Sequence, residues 1–493
     1  MTANRLRDRP EWAVGLALFV LLVATSSRYG WHRDELYFVQ AGDHPSWAYP
    51  DQPLFTPLLV ATMAHLGHGS LVVVRLASAV ASGAAAVVAG ALAGEFGGTP
   101  RARLIAAATW GVGGVSLVTG HFVDTTTFDV LAAGLFSLFV ARALRRGRPQ
   151  WLAAAGLVLG VGLLDKLLVG IVAAVVCACI LALGERRLLL SRWALLGAAL
   201  ALLGAAPYLI WQSLNGWPQL DLARSIGNSG AEGGQAGVIP FQFLLVSPVL
   251  TPVWVAGIVR LLRNPDARRF RPFGVAYLAM IVLVIATRGK AYYTSGLLLV
   301  MVSAGGVSVD VWLARGRRLT RRAWIVAGLS LSLVVDAVIG LAVVPASWLQ
   351  PSGVQAVNPD AAEQVGWPQF TAAIADAWRQ IPSAQRPGAV IFTGNYGEAG
   401  AVDRFGRGYG LPQAYSGHNA FAEWGPPSGS GPVVVVGYDP GRYLSAYFRD
   451  CRVVTHVDNG IGLPNDEQGD AVQLCSGPAH PWPQLWPRLI HYD

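Results

Sequence analysis

The stretch "RYGWHRDELYFVQAGDHPSWAYPDQP", residues 28–53, leaves an apolar run and at once sets Arg33, Asp34 and Glu35 side by side. A further acid follows at Asp51, and tryptophan and tyrosine surround all of them. Of the 493 residues, 53% are hydrophobic and only 13% are charged, with a mean hydropathy of +0.44. A soluble domain carries about 25% charged residues. The deficit marks an integral membrane protein, and residues 28–53 are where its chain first leaves the bilayer.

A helix needs about 20 apolar residues to cross roughly 30 Å of hydrocarbon. Runs of that kind lie at 11–27, 71–93, 102–119, 128–144, 150–164, 167–184, 193–211, 241–262, 272–287, 291–314 and 323–346. They predict about eleven spans, with 150–164 and 272–287 short for the task. Arginines cluster at 5–9, 101–103, 142–148, 186–192, 260–271 and 315–322. Counted through eleven spans, every cluster falls on one face, so the positive-inside rule predicts a cytoplasmic N-terminus and an outside C-terminus in a multi-pass protein of the cell membrane. The formal charge of +8 resides largely in these clusters. No basic stripe with interleaved aromatics exists, which excludes nucleic-acid binding. The first run is long for a signal peptide and lacks a small-x-small cleavage site, so it reads as a retained helix.

This topology places residues 28–70, 120–127, 212–240 and everything after about 347 outside. It divides the chain into a transmembrane catalytic module, 1–348, whose external loop 28–70 carries the site, and an extracytoplasmic α/β domain, 349–493. In that tail "AVIFTG" and "PVVVVGY" read as short buried strands and "WPQFTAAIADAWRQI" as an amphipathic helix. The glycine-rich "GNSGAEGGQAG" at 227–237 reads as a mobile loop. Cys177 and Cys179 lie in a membrane run as small core residues, whereas Cys451 and Cys475 lie where a disulfide is permitted. No CxxC or His/Cys cluster predicts a metal centre.

Neighbours on a helix point about 100° apart, so Asp34 and Glu35 do not form one symmetric dyad. One can face a cavity while the other meets Arg33 or a backbone amine. The loop is too long for a plain connector. Arg75, Asp124, Asp129, Lys166, Gln212, Asn215, Arg288 and Lys290 lie at the same predicted face. Ionisable groups at membrane depth are functional by default. Lys166 and Lys290 are the chain's only lysines, each in a predicted external turn. A carboxylate suits removal of a proton from an attacking hydroxyl, and cations suit a leaving phosphate.

The loop "HRDELYF…WAYPDQPLFTPLL" resembles the first external loop of the family 39 glycosyltransferases, multi-span GT-C enzymes that include protein O-mannosyltransferases and aminoarabinose transferases. The likeness continues in "TTTFDVL", "GLLDKLLVG", "PYLIWQSLNGWPQL", "RGKAYYTSGLLLV", "GNYGEAGAVDRFG" and "YSGHNAFAEWGPP". It implies a polytopic helical GT-C fold and an inverting transfer from a polyprenyl-phosphate monosaccharide to an extracytoplasmic acceptor, whether protein, polysaccharide or lipid. It implies Asp34 as base with Glu35 beside it. Arg33, Arg75, Lys166, Arg288, Lys290, Tyr292 and Tyr293 would lie toward the donor phosphate. Asp51, Asp129, Gln212, Asn215 and Trp217 would line the cavity. Asn395, Tyr396, His418 and Asn419 in the tail either contact the acceptor or serve as turn chemistry. The family's "KxYY" is normally followed by proline, and here "KAYYTSGLLL" departs from it. A transporter or lipid flippase is the second reading, although no inverted repeat is visible. A receptor or assembly scaffold is the third, and it leaves the membrane carboxylates unexplained.

Overall fold

In the computed structural model, which describes residues 9–229, 234–316, 318–439 and 442–492, every apolar run forms a helix or a bent pair of helices. Among the described residues, six helices are long and apolar enough to cross a membrane: Leu71–Glu95, Thr125–Arg146, Arg192–Leu214, Pro265–Thr287, Ala291–Ala314 and Leu319–Gly340. Two expected spans are broken. Pro100–Gly111 and Gly114–His121 meet at 57°, and Gly234–Val246 and Pro248–Arg263 meet at 86°. Glycines at 111, 113 and 114 flank the first break, while Ser247 at φ 119° before Pro248 makes the second. Glu11–Thr25, Gln150–Leu163 and Leu168–Leu183 are shorter apolar helices. Straight spans therefore number six, or eight with each bent pair as one, against the eleven expected. The "GNSGAEGGQAG" segment is not one loop. Its first residues end the helix Pro218–Ser229 and Gly234 opens the next helix. Residues 230–233 lie outside the described residues.

The chain divides into two compact units. One comprises Met1–Ser26, Arg75–Gly216 and Ala223–Leu341; the other comprises Ser27–Val74, Trp217–Leu222 and Ala342–Asp493. The first is the helical unit. Its helices 150–163 and 192–214 touch backbone to backbone, since a Cβ on Gly156 would stand 2.2 Å from Gly197 and one on Gly204 2.1 Å from Gly160. Small residues at such crossings are how membrane helices gain packing contact. The arginine-bearing ends are joined by ion pairs: Arg103 to Glu11, Arg101 to Asp310, and Arg142 and Arg146 to Glu95 at 3.0 and 3.2 Å. Helix ends that the charge alternation assigns to one face are thus connected in space.

The second unit contains the tail, and it also contains the loop expected to belong to the membrane module. The loop forms α1, Arg33–Asp43, and α2, Phe55–Leu66. The tail contributes α3, Trp367–Arg379, α4, Tyr396–Phe405, and α5, Trp482–Leu489, around a five-stranded sheet. Its strands are β1 Val390–Thr393, β2 Ala414–Ser416, β3 Val433–Val436, β4 Arg452–His456 and β5 Ala471–Cys475. The order is β2-β1-β3-β5-β4, with β1 parallel to β2 and β3, and β5 antiparallel to β3 and β4. Phe392, Trp482 and Trp486 fill one face. Cys451, just before β4, and Cys475, ending β5, form a disulfide across the antiparallel pair.

Three tail contacts hold the loop. Arg28 and Tyr29 donate to the carbonyls of Ala342 and Val344 at 3.1 and 2.8 Å. Arg404 donates to the Gly69 carbonyl at 2.8 Å. Between these ends α4 lies directly on α1, because "GEAG" places glycine at 397 and 400 on the facing side. A Cβ at Gly400 would stand 3.0 Å from the Leu36 backbone, and one at Gly397 2.8 Å from Arg33 Cβ. Overpacking such a contact costs about 1–3 kcal/mol. Gly397→Val and Gly400→Val should therefore lower the thermal unfolding temperature of the purified protein. Gly408→Ala, with nothing within 4 Å of the added carbon, should leave it unchanged. Equal melting of all three variants would refute the crossing.

Candidate active site

His32 is the N-cap of α1. Its Nδ1 accepts the Asp34 N–H at 3.2 Å, and Glu35 Oε2 accepts the His32 N–H at 2.9 Å. This capping box satisfies amides that the first turn would otherwise leave orphaned. It also separates the roles of the adjacent carboxylates. Glu35 is fully buried and holds the helix start, whereas the Asp34 side chain keeps 27% of its exposure. Asp34 Oδ1 accepts the Tyr396 hydroxyl at 2.9 Å. Its Oδ2 lies 3.8 Å from His32 Nδ1, a nitrogen that already accepts the Asp34 amide.

Arg33, expected at a donor phosphate, is committed elsewhere. It pairs with Asp466 at 2.9 Å and with Glu363 at 3.7 Å, and its guanidinium lies 5.1 Å from the Tyr396 ring centre. Asp51 Oδ1 accepts the Tyr37 hydroxyl at 2.7 Å, and burial pushes its carboxyl up to about 7 against the opposing effect of that bond. Asn395 caps α4, its side-chain oxygen accepting the Glu398 N–H at 2.9 Å. His418 is buried between the rings of Tyr396 and His491, both 4.6 Å away. Asn419, at φ 47°, donates its N–H to the His491 carbonyl at 3.2 Å. Loop and tail residues that were read separately thus form one cluster. Tyr37, His32 and Arg404 belong to it without having been singled out. The aromatic "ELYF" run was the only signal for Tyr37.

In the helical unit the lysines meet on a tyrosine. Lys166 Nζ lies 5.3 Å from the Tyr292 ring centre and 5.7 Å from that of Tyr293, and Lys290 Nζ lies 6.0 Å from Tyr292. Lys166 donates to Thr126 Oγ1 at 3.2 Å. Burial would raise the Asp124 carboxyl, yet the Lys166 charge and the threonines of the following turn hold it below its ordinary range. Arg288, in the left-handed region at φ 56°, Gly289 and Lys290 line a cavity of about 240 Å³ with Gly227, Asn228, Gly234 and Gln235. Two cations beside open glycine backbone suit an anionic group of phosphate size.

Arg75 is 1% exposed and donates to the Ser26 carbonyl at 2.8 Å, which secures the end of helix 11–25. Gln212 is fully buried and donates to the Tyr208 hydroxyl at 3.0 Å within its own helix. Asn215 is exposed and donates to the Trp211 carbonyl at 2.8 Å. Trp217 falls in the other unit, 41% exposed at φ 63°. Asp129 is buried in helix 125–146, one oxygen without a hydrogen-bond partner.

Residues 51–211 match the family model described as dolichyl-phosphate-mannose-protein mannosyltransferase, a segment short of half the chain. No curated protein matches. ArnT from Cupriavidus metallidurans, solved bound to undecaprenyl phosphate, is similar with a TM-score of 0.58 at 16% identity, over 94% of this chain and 97% of that one. The arabinofuranosyltransferase AftD from Mycobacteria is similar with a TM-score of 0.51 at 15% identity, over 95% of this chain and 42% of that one. The fold is therefore that of the multi-span GT-C glycosyltransferases. A segment that matches a mannosyltransferase family model thus lies inside that fold.

The loop-and-tail unit also buries carboxyls whose protons it retains. Burial lifts Glu398 to about 8, further raised by Asp470, against the pull of two backbone amides. Burial likewise raises Glu363, helped by repulsion from Glu467, and raises Glu467, helped by repulsion from Glu398, while Arg33 opposes both. A carboxyl raised in the folded state binds its proton more tightly there than when unfolded. Its stabilising contribution is complete below the unfolded value and is lost as pH rises through the folded one. Thermal unfolding should therefore occur at lower temperature as pH rises from about 5 to about 9. Glu398→Gln, which still accepts the Gly394 and Asn395 amides, should flatten that slope. A melting temperature that climbs over this range would contradict the assignment.

Proposed function

We propose that the chain transfers a sugar from a polyprenyl-phosphate donor to an acceptor hydroxyl outside the membrane, with inversion at the anomeric carbon. The observation that carries this reading is Asp34, a partly exposed carboxylate with one oxygen fixed by Tyr396. The acceptor oxygen bonds to the anomeric carbon as its proton passes to Asp34. The bond from that carbon to the donor phosphate breaks, and the lipid phosphate leaves with the electron pair. Within the helical unit, Lys290 and Arg288 beside the small cavity, together with Lys166, are cations of the kind that suits a lipid phosphate. The relative solved with undecaprenyl phosphate supports a lipid carrier of that chemistry. Transport is not favoured, since the similar folds are those of transferases.

A positioned general base contributes about 100- to 10,000-fold. In an assay with synthetic polyprenyl-phosphate sugars, Asp34→Asn should lose turnover by that order while retaining donor binding. Glu35→Gln should instead lower stability, because it weakens the capping box. Near-normal turnover by folded Asp34→Asn would sink the mechanism.

Lysine is kept at only two positions in a chain that otherwise uses arginine. Lys166→Ala and Lys290→Ala should each weaken donor affinity, with arginine restoring it partly. The arginine alternation supports a cytoplasmic N-terminus and an outside tail. Reporter fusions after residues 147 and 350 should accordingly give opposite signals, and like signals would reverse the orientation.

A further inference from the structure

We infer that Tyr396 is a positioning residue for the base, so that the tail domain completes the catalytic apparatus; this rests on Asp34 being that base. The sequence suggested an acceptor contact or turn chemistry for this tyrosine, and its geometry fits neither. Its hydroxyl points at Asp34 Oδ1, 2.9 Å away across 362 residues of sequence. Its ring is 4.5 Å from that of Tyr37 and 4.6 Å from that of His418, with the Arg33 guanidinium 5.1 Å from its centre. Arg33 is itself held by Asp466, so the cation beside the phenol is fixed.

The backbone is fixed as well. Tyr396 is the first residue of α4, directly after the Asn395 cap, and Glu398 Oε2 accepts the amides of Gly394 and Asn395 at 2.7 and 3.1 Å. One residue later Gly397 brings α4 against Arg33, the neighbour of Asp34. Burial keeps the phenol protonated well beyond its ordinary range, so it donates and does not accept.

A carboxylate with both oxygens free rotates about its side-chain bonds and reaches the reacting geometry only part of the time. With Oδ1 tied to a rigid phenol, the partly exposed carboxylate is held in one orientation toward the acceptor hydroxyl. The gain is one of orientation, and small misplacements of a reacting group cost as much as about 100-fold.

The test is a double-mutant cycle read in kcat and KM. Tyr396→Phe keeps the ring packing and removes only the hydroxyl. It should lower kcat about ten- to a hundredfold while the KM values for donor and acceptor stay within about twofold. In an Asp34→Asn background the same change should cost almost nothing, because there is no base left to orient. Losses that multiply in the double variant would overturn the proposal. So would a raised acceptor KM with kcat preserved, which marks an acceptor contact, or unchanged kinetics in folded Tyr396→Phe. If Asp34→Asn alone keeps turnover, the base assignment fails, and that result is read separately from the cycle.

Discussion

The close crossing of α1 and α4 is the constraint on which the loop-and-tail unit depends. Without side chains at Gly397 and Gly400, the tail helix reaches the backbone of the loop helix, and the Tyr396 hydroxyl reaches Asp34. An isolated helix of eleven residues is marginal in water even with good caps. The loop of residues 27–74 therefore takes its shape from what it packs against, and the partner is the far end of the same chain. Function is usually borne on loops set by a rigid scaffold. Here the scaffold of the reactive loop is the sheet and helices of the tail.

Charge placement follows from that packing. Bringing Arg33 into a buried setting requires anionic company, and Asp466 and Glu363 provide it. The cost appears as carboxyls that hold protons near neutral pH, since more acids than cations are buried together. Asp34 stands at the edge of this cluster, and its environment differs from that of its neighbour in sequence only because the helix turns by about 100° per residue. One step along the chain separates a structural cap from a reactive group.

Much of this was legible in the sequence. Hydropathy located the apolar helices, and arginine clusters marked helix ends that the ion pairs of Glu11, Glu95 and Asp310 then join. The breaks at Gly113 and Pro248 were not, because a window of apolar residues carries no information about bend angle. Strands β2, β4 and β5 escaped because they are short and lack strict alternation. Asp34, Lys166 and Lys290 stood out by residue type and place. The packing of the loop against the tail was not legible, because Arg28–Ala342 and Tyr396–Asp34 are contacts between segments more than three hundred residues apart. The hydrogen bonds of Arg75 and Gln212 were not legible for a related reason: a polar residue in an apolar run announces a partner without saying which one.

The wide sequence separation between Asp34 and Tyr396 has a consequence in time. Synthesis proceeds from the N-terminus, so the loop emerges hundreds of residues before the strands and helix that shape it. During that interval the membrane helices can insert and pack while the carboxylate has no phenol to hold it. The base is set only when the tail has been made and has folded around its sheet. A nascent or prematurely ended chain would thus carry its apolar helices while the loop lacks the last 150 or so residues that it packs against.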